Sequence, residues 1–484
     1  MEIKNKSLRR GTKIVCTLGP STSSPGRIKE LILAGMDVVR LNFSHGNHEM
    51  HQRTIRAIRR ISKQLGREVG ILQDLGGPKI RIGKLPVPER WLEAEQKVIL
   101  SPVESSDPSI IPVNYPYLIE DVAIGDQILV ADGLVELKVE NKEKDKILCR
   151  VIAGGIVQSN KGVNLPSTHL RVNAITEKDK KDLELGLKEN VDFVALSFVR
   201  NEHDLEPILN ILKTQERRPM LIAKIEKPQA IERFQEILDR VDGIMVARGD
   251  LGVEMPLEKV PIIQKRIIYE ARQAAKPVIT ATQMLRSMIN SPRPTRAEAT
   301  DVANAVLDGT DALMLSDETA VGEYPVEAVR ILDKIARATE PYMDHEDYFI
   351  ETQSTILPDT EDAISRAACL IAKDLDAAAI VAVTSSGSTA RLVSRFRPNN
   401  PIVGLTPHLR TQRLLSLSWG VVPALITPFH ETDAAFSLTE KWAVENEIAK
   451  AGDKLVVTAG IPVGVKGTTN LLRVIELDQY HNKV

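Results

Sequence analysis

Cysteine is scarce in this chain of 484 residues: Cys16, Cys149 and Cys369 stand far apart and share no metal-ligand spacing. Three scattered thiols exclude a disulfide framework and fit a reducing, cytoplasmic compartment. Aromatic residues make up only 4% of the sequence, which leaves little from which to build stacking platforms for single-stranded nucleic acid. Neither sign of charge prevails, since 63 Lys and Arg meet 65 Asp and Glu, and the formal net charge of -2 supplies no field to hold nucleic acid. No apolar run approaches the roughly 18 residues needed to cross a bilayer, so no membrane partner is expected. The first residues, MEIKNKSLRRGTKIV, are basic but lack the apolar stretch of a secretory signal. The Walker G-x-x-x-x-G-K-[ST] loop and the Rossmann G-x-G-x-x-G turn are missing too, so any nucleotide must bind by another route.

What the chain does contain is eight short apolar runs, at 13–18, 38–43, 69–73, 191–198, 221–226, 243–248, 277–282 and 312–316. Most are followed by an amphipathic segment, with helices expected at 24–34, 48–65 and 178–189. Eight such units predict an α/β fold, a (β/α)8 TIM barrel. The gap from 73 to 191 is far longer than one unit requires. Its middle, 83–165, has alternating runs broken by Gly, Asp and Pro, and reads as an inserted small β-barrel domain lying as a lid on the catalytic face. A polar linker at 345–362 leads into a C-terminal α/β open-sheet regulatory domain. The expected division is 1–82 with 166–345 for the barrel, 83–165 for the insert and 346–484 for the last domain.

Within Leu221-Ile222-Ala223-Lys224-Ile225-Glu226, the two charged residues lie two apart and project to one face of a strand. A charge in a core is costly unless it is paired or bound to a metal or ligand. Active sites of such barrels gather where the strands end, and here nearly every end is polar. Arg40, Asn42, Ser44 and His45 follow the second run, and Asp74, Leu75, Lys79 and Arg81 the third. Ser197, then Gly249 with Asp250, then Thr280 with Thr282, and finally Ser316-Asp317-Glu318-Thr319 continue around the rim. Glu226 and Asp250 suit a hard divalent cation such as Mg2+, which fills its other positions from water and substrate phosphate. Arg40, Arg81 and Lys224 supply cations that steady a transferring phosphoryl group. These residues point to phosphoryl transfer or to metal-assisted enolate chemistry. Farther on, Thr384-Ser385-Ser386-Gly387-Ser388-Thr389 joins an apolar strand to a helix, where hydroxyls and N–H groups either receive a phosphate or cap the helix. Arg391, Arg395 and Arg397 on that helix are candidates for subunit contacts.

The ordered motifs resemble the pyruvate kinase family over essentially the whole chain. They are Arg40-Leu41-Asn42-Phe43-Ser44-His45-Gly46, Gly77-Pro78-Lys79-Ile80-Arg81, Gly162-Val163-Asn164-Leu165-Pro166, Lys224-Ile225-Glu226, Met245-Val246-Ala247-Arg248-Gly249-Asp250-Leu251-Gly252, Ala281-Thr282-Gln283-Met284-Leu285 and Ser316-Asp317-Glu318-Thr319-Ala320. The resemblance implies a cytoplasmic glycolytic homotetramer with phosphoenolpyruvate, ADP, ATP and pyruvate as its small-molecule partners. It implies Mg2+ on Glu226 and Asp250, with Mn2+ able to substitute. Arg40, Lys224, Gly249, Asp250 and Thr282 would meet the substrate, and Thr282 would pass a proton to the enolate carbon. Asn42, His45, Arg81 and Lys161 would meet the nucleotide. A plain salt bridge for Arg40, a loop-capping role for His45 and a solvated Lys161 are the structural alternatives. Thr384 to Thr389 would bind a phosphorylated allosteric effector.

One position departs from much of the family. The monovalent-cation site falls on Asn42, Ser44, Asp74 and the Leu75 carbonyl, yet potassium-dependent members generally carry Glu where this chain has Lys79. Leu75 and Ile82 likewise stand where those members carry Thr. A tethered ammonium in place of K+ predicts activity without the added ion. Two other functions fit part of the pattern: a Mg2+-dependent lyase or aldolase acting on 2-oxo acids, and a non-catalytic phosphometabolite sensor. The lid, Arg81 and Lys161 favour the kinase over the lyase. The set Lys224, Glu226, Asp250 and Thr282 disfavours the sensor.

Overall fold

Short runs of Val, Ile, Leu, Met and Ala suit strands covered on both faces, as parallel sheets require. Eight of them close into one parallel barrel: β1 (Lys13–Thr17), β2 (Val38–Asn42), β3 (Gly70–Asp74), β4 (Phe193–Leu196), β5 (Met220–Ile225), β6 (Gly243–Ala247), β7 (Val278–Ala281) and β8 (Ala312–Leu315). Neighbours pair in chain order and β8 returns to β1, with Lys13 opposite Ala312. The chain is described from a computed structural model that covers residues 10–166, 168, 170–353, 359–429, 431–461 and 468–478.

The helices start and stop where local chemistry says they should. Pro25–Ala34 follows Ser24, whose hydroxyl accepts from Arg27 N, and it ends at Gly35 with φ 129°. His48–Leu65 opens on Asn47, whose side chain accepts from Met50 N, and closes at Gly66 in the left-handed region. Glu177–Lys188 and Arg296–Leu307 each begin with a reciprocal capping box, Thr176 with Asp179 and Thr295 with Glu298. Their apolar faces and the outer faces of the strands form the largest core.

Between β3 and β4 a separate core gathers Val98, Leu100, Ile128, Val135, Leu137 and Cys149, with others, under a six-stranded sheet. Ile110–Pro112 and Val163–Asn164 form its edges. Both edges meet one short segment, through single bridges Ile82↔Val113 and Arg81↔Gly162. The insert is thus barrel-like, with residues 81 and 82 completing the ring. A two-stranded pair, Glu89–Leu92 with Gly155–Gln158, lies beside it.

The C-terminal sheet runs β11-β10-β9-β12-β13, from β9 (Ala379–Val383), β10 (Ile402–Thr406), β11 (Val421–Leu425), β12 (Lys454–Gly460) and β13 (Thr469–Glu476). Only β13 is antiparallel. The sequence pattern did not reveal β11, because Pro423 interrupts it; the strand lies at the sheet edge, where a missing N–H is tolerated. The expected linker also begins differently, since His345–Gln353 is helical. Asp344 Oδ1 accepts from Glu346 N and Asp347 N at 3.1 and 3.0 Å and starts that helix.

This last unit closes the lower end of the barrel. Leu414 and Leu417 join the barrel's interior cluster beside Met220, Ile222, Met245 and Ile279. Lys13 Nζ donates to the Val421 carbonyl at 2.7 Å. Arg395 and Arg397, candidates for subunit contacts, are buried inside the chain instead. Arg395 pairs with Asp362 at 2.7 Å and donates to the Gln273 carbonyl at 2.7 Å. Arg397 meets Asp311 at 3.2 Å, donates to the Gly309 carbonyl at 2.8 Å and stacks against Trp419. Breaking a buried ion pair by removing one partner costs about 3–5 kcal/mol. Arg397→Met should therefore lower the unfolding free energy measured in urea by about 3–5 kcal/mol, and an unchanged value would show that the pair does not hold the units together.

Candidate active site

Ile222 faces the barrel interior and Ala223 and Ile225 face the outer core, which turns Lys224 inward at the end of β5. Its ammonium lies 2.7 Å from Glu226 Oε1 and 3.6 Å from Asp74 Oδ1, and donates to Ser197 Oγ at 2.8 Å. Arg40, from β2, donates through Nε to Asp74 Oδ2 at 2.7 Å and through Nη1 to Thr17 Oγ1 at 3.0 Å. Glu226 Oε2 accepts from Phe198 N at 2.9 Å, and Phe198 adopts φ 59° to present it. The strand-end salt bridge considered for Arg40 is real, and it belongs to this cluster.

The helix Arg248–Glu254 grows directly from β6 and carries Gly249 and Asp250 in its first turn. Gly249 N donates to Thr282 Oγ1 at 2.7 Å, and that hydroxyl donates to the Ala281 carbonyl at 2.6 Å. A Cβ at position 249 would stand 3.3 Å from Thr282 Oγ1, so glycine permits the close approach. Thr282 itself holds φ 68°, a strained conformation for a β-branched residue. Arg248 fixes the turn by donating to the Thr282 carbonyl at 2.8 Å and pairing with Asp301 at 2.7 Å.

The charges in this cluster do not balance. Burial alone would lower the Lys224 pKa, but Asp74, Glu226 and Asp250 outweigh it and keep the ammonium protonated well above its usual range. Burial works to raise Asp74, yet Lys224 and Arg40 hold it below the ordinary carboxylate value. Glu226 goes the other way: burial raises it, Lys224 pulls it down, and Asp250 adds to the rise. Three carboxylates face Lys224 and Arg40, which leaves a surplus of negative charge beside Glu226 and Asp250. Oxygen donors with surplus negative charge suit a hard divalent cation. Among the described residues no group of three or more His, Cys, Asp and Glu forms a complete protein cage. The two carboxylates would leave the other positions to water and substrate.

Above the cluster opens a cleft of about 500 Å³, lined on the barrel side by Arg40, Asn42, Gly249, Asp250, Thr282 and Lys79. The insert closes it with Asp132, Leu134 and Asn164. Lys224 and Glu226 sit below this surface, both buried. Of the residues expected at the nucleotide, Asn42 lines the cleft, whereas Arg81 donates to the Asn160 carbonyl at 2.7 Å within the insert. His45 and Lys161 are exposed, and the His45 carbonyl is hydrogen-bonded to His51 Nε2 at 2.8 Å. At the expected monovalent site, Asn42 Oδ1 accepts from Ser44 N at 3.1 Å and the Leu75 carbonyl accepts from Ser197 Oγ at 2.9 Å. Lys79 is exposed and extends toward Gly162 of the insert, with its Cε 3.6 Å from where a Cβ there would lie. Glu318 serves backbone, accepting from Leu285 N at 3.1 Å and Ser316 N at 2.8 Å.

A latch escaped the sequence reading. Glu254, buried at the end of the helix that carries Asp250, pairs with buried Lys227 and accepts from Asn164 Nδ2 at 2.6 Å. Asn164 stands where the insert rejoins the barrel, so one carboxylate ties the insert to the turn that carries Asp250. Asn164 and Glu254 belong to or adjoin motifs read from the sequence, but 90 residues separate them and nothing local pairs them.

The model of the family described as pyruvate kinase, barrel domain, matches residues 9–329, and that of pyruvate kinase, alpha/beta domain, matches 362–475. The chain is 49% identical over 480 residues to pyruvate kinase 2 of Synechocystis sp., covering 98% of this chain and 80% of that protein. It is 45% identical over 475 residues to the pyruvate kinase of Geobacillus stearothermophilus, covering 96% and 80%. A crystal structure of a pyruvate kinase from Cryptosporidium parvum superposes with a TM-score of 0.93 at 36% identity, covering 98% of this chain and 97% of that one.

The latch makes unequal demands on its members. Glu254→Ala strands a buried ammonium and should cost about 3–5 kcal/mol. Asn164→Ala removes one charge-assisted hydrogen bond and should cost about 1.5–3 kcal/mol. Paired denaturation curves check the order, and equal losses would show that Lys227 has another partner.

Proposed function

The chain belongs to the pyruvate kinase family, and from that membership we propose that the cluster around Lys224 carries phosphoryl transfer from phosphoenolpyruvate to ADP. The bond between phosphorus and the enol oxygen breaks, a terminal oxygen of ADP takes the phosphoryl group, and the enolate carbon gains a proton to give pyruvate. The observation that carries this reading is the Lys224 ammonium, buried and protonated beneath a cleft framed by Arg40, Gly249, Asp250 and Thr282. A fixed positive charge there meets negative charge as it develops, without waiting for solvent to reorganise. Arg40 presents its guanidinium to the substrate phosphate while anchored on Asp74. The Gly249 backbone receives the substrate carboxylate. Thr282 Oγ1, already linked to Gly249 N, is the group through which a water delivers the proton to the enolate carbon.

Glu226 and Asp250 would hold Mg2+, or Mn2+ in its place, and that ion would neutralise the phosphate and carboxylate of the substrate. Asn42, His45, Arg81 and Lys161 are assigned to ADP and ATP; of these, Asn42 lines the cleft. A homotetramer, a cytoplasmic location and the domain limits given above follow the family and remain part of this reading. The loop from Thr384 to Thr389 is the proposed phosphate-binding effector site. Its Gly387 takes φ 87°, its N–H donates to Thr384 Oγ1 at 2.9 Å, and the hydroxyls of Ser386 and Ser388 lie 3.0 Å apart.

Pyruvate formation should require phosphoenolpyruvate, ADP and Mg2+ together. Turnover without ADP would favour a lyase, and no turnover under any condition would favour a sensor. Lys224→Met should lose about 10²–10³-fold in kcat, the scale of removing one preorganised donor, while still binding Mn2+. Normal turnover would remove Lys224 from the mechanism.

The expectation of activity without K+ rests on Lys79 standing where potassium-dependent relatives carry Glu; its side chain lines the cleft but extends toward Gly162. Turnover in K+-free buffer should match turnover in excess K+. A large loss without the ion would overturn that assignment.

A further inference from the structure

The two carboxylates assigned to the metal sit on different elements. Glu226 follows β5, and Asp250 stands in the first turn of the helix Arg248–Glu254. Each has a charged neighbour that reaches across to the other's segment. Lys227 follows Glu226 directly, and Glu254 stands at i+4 from Asp250, one turn along the same face of the helix. Lys227 and Glu254 form an ion pair and are only 6% and 4% exposed. The pair therefore cross-links the two segments that carry Glu226 and Asp250. Phe198 reinforces the link: its N–H donates to Glu226 Oε2 at 2.9 Å, and its ring centroid lies 5.7 Å from the Lys227 ammonium.

The insert seats on the same helix at two points. Asn164 Nδ2 donates to Glu254 Oε1 at 2.6 Å, the oxygen that Lys227 also takes. The turn at 131–133 stands over Val253, since a Cβ on Gly133 would lie 3.6 Å from Val253 Cγ1. Both points belong to one corner of the insert, because Asn164 pairs with Leu129 and Val163 with Val130, and the turn follows at once. Asp132, Val253 and Lys227 all line the cleft, so this corner meets the helix at the edge of the site. Among the described residues no other side chain bonds the Glu254 carboxylate, whose Oε2 is buried without a hydrogen bond. A shift of Asn164 is thus felt by Lys227 through one shared oxygen.

We propose, on the reading of Glu226 and Asp250 as metal ligands, that Lys227 and Glu254 are positioning residues that fix the spacing of those ligands, and that Asn164 makes the affinity for a divalent cation depend on how the insert is seated. The coupling is reciprocal: seating the insert tightens the cation, and the cation holds the insert on the helix.

Mn2+ titration of the full chain without substrate, followed by electron paramagnetic resonance, tests this. Lys227→Met/Glu254→Leu removes the pair without stranding a charge. It should weaken Mn2+ binding about tenfold, the scale of an outer-shell partner, and change the spectrum of the bound ion. Lys227→Arg keeps the pair and should bind Mn2+ nearly as the parent does. Asn164→Ala leaves the pair in place and should weaken binding by a smaller factor. In hydrogen exchange, Mn2+ should protect 129–134 and 163–165 together with 248–254 in the parent, and 248–254 alone in Asn164→Ala. Parent affinity in the double variant or in Asn164→Ala, or insert protection that survives Asn164→Ala, overturns the proposal and leaves the metal reading standing. Mn2+ binding retained in Glu226→Gln/Asp250→Asn overturns the metal reading, and this proposal with it.

Discussion

A single buried ammonium sets the terms for the catalytic end of this molecule. Lys224 touches groups from β3, from the end of β4 and from the turn after β5, and through Asp74 it is coupled to Arg40 on β2. Such a cluster is weak evidence for stability, because desolvation consumes much of the Coulomb attraction. What it enforces is register. Ala223 pairs with Leu196 and Lys224 with Met245; a slip of one residue would turn Lys224 into the outer apolar core. The same desolvation keeps the charge unscreened at the floor of the cleft, where the proposed reaction would bring a phosphate.

Two strained residues lie at the same end of the barrel. Phe198 and Thr282, both bulky and both at positive φ, present respectively a backbone N–H to Glu226 and a hydroxyl to Gly249. Strain of this kind persists only where the surroundings over-determine it. Arg248, bound to the Thr282 carbonyl and to Asp301, is that restraint for the second turn.

The barrel and the charged strand were legible because each rests on a local pattern: apolar runs of the right length, caps at helix starts, charges two apart on one strand. The edge strand β11 was not, since Pro423 masks its pattern and only its place beside β10 explains it. The roles foreseen for Arg395 and Arg397 failed for a related reason. A sequence shows arginines on a helix but not the carbonyls of Gln273 and Gly309 that enclose them. Likewise the Glu254 latch joins residues distant in the chain. Pairing across distance is what periodicity cannot report.

Leu414 and Leu417 lie in the barrel's interior cluster although they come from the last third of the chain. A (β/α)8 barrel ordinarily fills its own interior with layers of strand side chains. Here the lowest layer is borrowed. The border between modules along the polypeptide and the border between cores in space are therefore different surfaces, and they cross at this point. A barrel severed from its C-terminal unit would expose an apolar socket under Met220 and Ile222. In evolutionary terms the two modules are no longer exchangeable parts: a foreign C-terminal unit would have to bring two apolar side chains at the right depth before any question of regulation arose.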